Sequence, residues 1–135
     1  MNIFTYGSLM FDEVWRPIAV TPVASMTAEL VGFAREGVVG ERYPGIRVKP
    51  GAVTVGRVYL EVDAQTLARL DAFEGDEYLR SRVTVQVRGR RGRLAQIDAE
   101  VYVFADPRRL DGKSWDPDRF ARDDASGFYR AHARL

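Results

Sequence analysis

Cysteine is absent from this 135-residue chain, histidine occurs once, at His132, and lysine only at Lys49 and Lys113. Without cysteine there is no disulfide, zinc-thiolate site, iron–sulfur cluster or cysteine nucleophile. One imidazole cannot build a polyhistidine metal site. No apolar run approaches the roughly 18 residues of a membrane span. The N-terminus lacks the basic, apolar and small-residue succession of a signal peptide. An excess of one charge is also missing, since 20 Lys+Arg stand against 19 Asp+Glu for a net +1, whereas a dedicated nucleic-acid binder carries a basic face. The expectation is a soluble, cytoplasmic protein that engages neither membrane nor nucleic acid.

What is present suits a folded domain. A chain of this length fits one domain of about 100–150 residues. It can bury around two thirds of its surface without a covalent or metal staple. Hydrophobic residues make up 46% of it, a globular composition. Asn2 to Tyr6 reads as a short strand, and Asp12 to Val20 as a helix with Val14, Trp15 and Ile18 on one stripe. Thr27 to Val39 suggests a long or kinked strand. Tyr43-Pro44-Gly45 reads as a turn before a brief strand at Ile46 and Val48. Val53 to Val62 alternates most clearly, with Thr54, Gly56, Val58, Leu60 and Val62 on one face.

Asp63 is suited to cap a helix carrying Leu67, Leu70 and Phe73, which Gly75 would end. Tyr78 to Val87 and Ile97 to Phe104 alternate again, around an Arg/Gly-rich hairpin tip at Arg88 to Arg93. Beyond Trp115 two helical pieces are expected, Asp116 to Ala121 and Ala125 to Arg134. The predicted fold class is α+β: a small, mostly antiparallel β-barrel with a few short flanking helices, closure removing the exposed strand edges.

Chemistry has two places to sit. At Tyr6-Gly7-Ser8-Leu9-Met10 a strand turns through glycine toward a helix, and such a turn presents backbone N–H groups able to hold a carboxylate or oxyanion. Gly7 permits close approach or positive φ, and Ser8 adds a hydroxyl. An ordinary β-to-α turn capped by Ser8 accounts for the same letters. Ser8 as a nucleophile is not supported, because no G-x-S-x-G elbow surrounds it and the sole imidazole lies near the C-terminus.

The second place holds four acidic residues in seven positions, Asp71, Glu74, Asp76 and Glu77. Leu70, Phe73 and Glu74 share one helix face, so the apolar pair carries Glu74 inward. A carboxyl against an apolar wall has its charged form disfavoured, which is what a general acid/base at neutral pH requires. A solvated acidic loop with Glu74 paired to Arg80 or Arg82 explains the pattern equally well. No metal-ligand spacing is recognised here.

The two places together carry a resemblance. A strand ending in Tyr6-Gly7-Ser8-Leu9, then Leu70-Asp71-x-Phe73-Glu74-Gly75 and Tyr78-x-Arg80, resembles the gamma-glutamylcyclotransferase-like superfamily. Gly32-Phe33, Tyr43-Pro44-Gly45 and Gly56-Arg57-Val58-Tyr59 fit the same pattern. The nearest branch is the plant avirulence-induced-protein and gamma-glutamylamine-cyclotransferase-like group. The similarity runs from about Asn2 to Phe104 and leaves out the tail.

Length and pattern give one domain, with the barrel that the resemblance implies over about 1–105 and a helical tail over about 106–135. The resemblance implies an enzyme that cyclises a small-molecule gamma-glutamyl amide to 5-oxoproline and an amine, with no metal or cofactor, and nothing in the sequence demands more than a monomer. The family's catalytic glutamate falls on Glu74 and its substrate-holding loop on Tyr6, Gly7, Ser8, Leu9 and Met10. Tyr78 completes the pocket, and Glu77 is the next candidate carboxylate. Arg80 is given a structural role only. The wall facing the leaving amine is expected to draw on positions 35–43, Trp15 or the tail. The leaving amine stays open among an amino acid, cysteinylglycine, a lysine side chain and a polyamine. The alternative, from another class, is a non-catalytic barrel that binds a small carboxylate or amine metabolite.

Overall fold

A computed structural model describes residues 1–123. Its frame is a pair of long strands, β2 (Ser25–Val38) and β3 (Pro44–Tyr59), running antiparallel from Ser25 opposite Tyr59 to Gly37 opposite Pro44. The expected turn at Tyr43-Pro44-Gly45 instead begins β3, which continues past Ile46 and Val48 without a break in the strand. The pairing shifts register between Val31 and Phe33, and one continuous strand replaces the brief strand at Ile46 and Val48 and the separate strand from Val53 that were expected. Along β3 the expected alternation holds: Thr54, Gly56 and Val58 are buried, while Val53 and Val55 are exposed.

The short β1 (Ile3–Thr5) lies between β3, its antiparallel neighbour, and β5 (Leu94–Phe104), its parallel one. Successive strand residues point to opposite faces, so Ile3 joins one apolar cluster and Phe4 the other. Coverage on both faces explains why β1 is buried throughout. The expected hairpin joins β4 (Tyr78–Arg88) to β5 through a tip at which Arg91 has φ 60°. The six-stranded sheet has the order β3-β1-β5-β4-β2-β6, and β2 also pairs with β3.

Among the described residues, three short α-helices flank the sheet. The first, α1 (Asp12–Trp15), stops well before the expected Val20. Pro17 has no N–H to give the carbonyl of Glu13 and its ring would crowd that carbonyl. The second, α2 (Ala64–Glu74), starts at the expected cap, with the Asp63 carboxylate accepting from the Thr66 N–H at 2.7 Å. It ends where Gly75 takes φ 68°, a left-handed conformation that glycine adopts without penalty.

The tail contains an unanticipated strand, β6 (Leu110–Ser114), on the edge of β2. α3 (Pro117–Asp123) follows, overlapping the first expected tail helix. Its Phe120 is buried against Phe11 and Trp115, with ring centroids 5.4 Å from each. The second expected helix, Ala125 to Arg134, and His132 lie outside the described residues.

Candidate active site

One cavity collects most of the residues singled out in the sequence. Tyr6, Gly7, Ser8 and Leu9 form one wall, and Glu74 and Tyr78 another. Met10 is not among its lining residues. Tyr43, Phe73, Glu77 and Tyr102 are also among the residues that line it. The wall expected from positions 35–43 is represented by Tyr43, whereas Trp15 is stacked on Tyr59 at 3.6 Å inside the core.

The first wall is the turn after β1. Met10 N–H bonds back to the Gly7 carbonyl and Phe11 N–H to Ser8. These two amides close the turn, and those of Gly7, Ser8 and Leu9 take no part in that closure. Of the two uses foreseen for Gly7, the structure requires close approach. A Cβ there would lie 2.8 Å from Cγ of Pro44, which also borders the cavity. We expect Gly7→Ala to push the turn and the Tyr43–Pro44 segment apart, costing about 1–3 kcal/mol of stability. Urea denaturation measures this, and a neutral effect would show that the two segments do not meet.

The second wall is built by α2. Leu70 and Thr66 are fully buried on its inner face, which turns Glu74 toward the cavity at the helix's last residue. Among the described residues, no hydrogen bond or ion pair engages the Glu74 carboxyl. Burial pushes it up to about 8, and the neighbouring charges of Glu77 and Asp71 push the same way. Arg80, the partner considered for Glu74, instead meets Asp71 at 3.5 Å and Glu100 at 3.2 Å.

Glu77 sits one short turn further on, and its environment is the opposite. Tyr43 Oη donates to one carboxylate oxygen at 3.0 Å and Arg109 Nη1 to the other at 2.8 Å. Three separate parts of the chain meet in that clamp. Because its charge stands beside Glu74, Glu77→Gln is expected to bring the Glu74 titration midpoint below about 8. Carboxyl carbon-13 NMR across pH reads this directly, and an unmoved midpoint would show that the Glu77 charge does not reach Glu74.

The tyrosines fix the remaining geometry. Tyr78 Oη donates to the Pro44 carbonyl at 2.7 Å, Tyr6 Oη to the Tyr102 carbonyl, and Tyr102 Oη to Asp71 at 2.7 Å. Burial raises all three phenols well above their ordinary value, with nearby carboxylates adding, so they remain neutral donors. The arrangement is an aromatic-walled cavity holding one unpaired carboxyl and one clamped carboxylate, faced by a backbone turn.

Several solved structures share this fold. A solution structure of an Arabidopsis thaliana protein superposes with TM-score 0.70 at 26% identity, covering 96% of this chain and 86% of that one. A solved chain described as gamma-glutamyl cyclotransferase gives TM-score 0.60 at 21% identity, over 78% of this chain and 66% of that one. The chain belongs to the gamma-glutamyl cyclotransferase, AIG2-like family, whose profile matches residues 3–117. The match therefore extends beyond Phe104, through β6. The AIG2-like protein D of Arabidopsis thaliana is 30% identical over 129 residues, 96% of this chain and 84% of that protein.

Proposed function

We propose that this protein cyclises a gamma-glutamyl amide to 5-oxoproline and a free amine, with Glu74 as general acid/base. The observation that carries the reading is the unpaired Glu74 carboxyl in the cavity wall, pushed up to about 8. Family membership and the shared fold support the reaction class. The circuit of pairings that returns from β2 to β3 supports reading the sheet as a small barrel around an apolar interior.

The reaction is internal to the substrate. The α-amine attacks the γ-carbonyl carbon, a five-membered lactam forms, and the original amide C–N bond breaks. Curling the substrate for this attack can supply effective molarities of roughly 10⁵–10⁸ M. No nucleophile from the protein is required, nor is a metal or cofactor. Glu74 takes a proton from the α-ammonium and delivers it to the departing nitrogen; the second proton that the ring nitrogen sheds on forming the lactam also goes to the amine, which leaves as an ammonium, so the carboxylate is regenerated. Amides of the turn at Tyr6, Gly7, Ser8 and Leu9 hold the substrate's α-carboxylate or the developing oxyanion, whereas the Met10 amide closes the turn on the Gly7 carbonyl. The Tyr78 ring closes the pocket beside them.

A general base must be deprotonated to start. With Glu74 near 8, about a tenth of it is ionised at pH 7, and kcat/KM rises with pH until Glu74 is fully ionised. The test is 5-oxoproline release, by mass spectrometry, from gamma-glutamyl compounds with amino-acid, lysyl, polyamine and cysteinylglycine leaving groups. Release by the wild type and not by Glu74→Gln supports the reading. Binding without release across the panel replaces it with a metabolite-binding protein.

A further inference from the structure

Behind the turn that faces the cavity lies a cation that does not itself border it. Arg35, on β2, donates through Nη1 to the Tyr6 carbonyl at 3.0 Å and to the Val55 carbonyl at 3.0 Å. Its guanidinium lies 5.7 Å from the Trp115 ring centroid. Trp115 is itself fixed, because its Nε1 donates to the Arg42 carbonyl at 2.8 Å. Two carbonyls and an aromatic face therefore hold one guanidinium.

The Tyr6 carbonyl shares a peptide plane with the Gly7 N–H. No cis bond occurs among the described residues, and in a trans peptide these two groups point in opposite directions. The carbonyl turns toward Arg35, which does not line the cavity, so the Gly7 N–H points away from Arg35, and Tyr6 and Gly7 both line the cavity. A charged donor on the carbonyl also polarises the peptide and makes its N–H a stronger donor. None of the residues lining the cavity is Lys or Arg, so Arg35 supplies positive potential one peptide behind the wall.

We propose that Arg35 is a positioning residue: it locks and polarises the Tyr6–Gly7 peptide so that the Gly7 N–H grips the substrate's α-carboxylate. This rests on the substrate-holding role assigned to the turn above. Trp115 and the tail segment that carries it thereby belong to the site's support, although they do not line it. Lysine would replace Arg35 only in part, since an ammonium can reach one carbonyl but does not reproduce a stacked, planar fork.

The test compares two ligands, 5-oxo-L-proline and its carboxamide, 5-oxo-L-prolinamide, in wild type, Arg35→Met and Arg35→Lys, with binding followed by NMR titration. Arg35→Met is expected to weaken carboxylate binding about tenfold or more while the carboxamide changes by less than about twofold. Arg35→Lys should recover part of that loss. The Gly7 amide proton should move upfield in Arg35→Met and lie between the two in Arg35→Lys. Equal loss of both ligands would make Arg35 a packing residue, and no loss of either would make it irrelevant to the site; each overturns the inference. If Arg35→Met does not fold, Arg35→Lys carries the comparison, with a smaller but still carboxylate-selective loss expected. If the wild type binds neither ligand, the substrate-holding role of the turn fails, and with it the proposed carboxylate grip. An unmoved Gly7 resonance would then also remove the hold on the peptide.

Discussion

Replacing Glu74 with glutamine is expected to lower kcat by about a hundredfold to ten-thousandfold, the range general acid–base groups supply, while the protein stays folded. Glutamine matches the shape of the neutral carboxyl but can neither accept nor return a proton. Burial favours that neutral form, since the folded carboxyl titrates near 8 against an ordinary value of 4.5. The raised value fixes the sign of a stability effect. The wild type has its full stability below the unfolded value and loses some as pH rises through about 8, because an unpaired charge must then stay in the wall. Glu74→Gln has no such loss. Thermal melts should therefore coincide near pH 4 and separate by pH 9, with the variant melting higher. A variant that kept near-native turnover would move the general-base role to Glu77. Melts that stayed together across the range would show that Glu74 is solvated.

Glu74 was legible because its evidence is local. Leu70, Phe73 and Glu74 fall on one helix face by spacing alone, and Asp63 and Gly75 bracket the helix with recognisable chemistry. The turn after β1 was legible for the same reason. The clamp on Glu77 was not. It joins Tyr43 and Arg109, 34 and 32 residues away in the chain, and no periodic pattern links such partners. Arg35 was hidden similarly, since its partners are a carbonyl 29 residues back and a ring on the tail. Exposed β6 has only Leu110 part-buried at its start and shows no alternation to read. Continuous β3 reads in the sequence as a turn at Tyr43-Pro44-Gly45, a brief strand at Ile46 and Val48 and a separate strand from Val53, because Pro-Gly pairs ordinarily mark turns. Long pairing with β2 overrides that local preference. Helix α1 shows the reverse case, an apolar stripe that continues to the buried Ile18 although Pro17 interrupts the helix beneath it.

Gly56→Ala is expected to be the most damaging of the small substitutions, because it strikes the join between β1 and β3 on which the cavity depends. Gly56 is the β3 residue next to Arg57, which pairs with Thr5. A Cβ at Gly56 would overlap the Thr5 carbonyl oxygen and lie 2.7 Å from Phe4 Cζ. The first obstacle is backbone in a paired strand, which cannot swing aside as a flexible side chain can. The second is a ring that is 1% exposed within the inner apolar cluster, in an interior packed too tightly to yield. Relief requires β1 to move from β3, which drags Tyr6 and Gly7 with it. The expected cost is about 3 kcal/mol or more, a fall in melting temperature on the order of 10 °C. Gly51→Ala on the same strand provides the contrast. That glycine has φ 86° but open space around it, so only backbone conformation is penalised, by about 1–2 kcal/mol. Urea midpoints for the two variants rank the effects. Gly56→Ala falling with or above Gly51→Ala would mean that β1 does not lie against β3 as closely as this arrangement requires, and the wall formed by Tyr6 and Gly7 would have to be rebuilt.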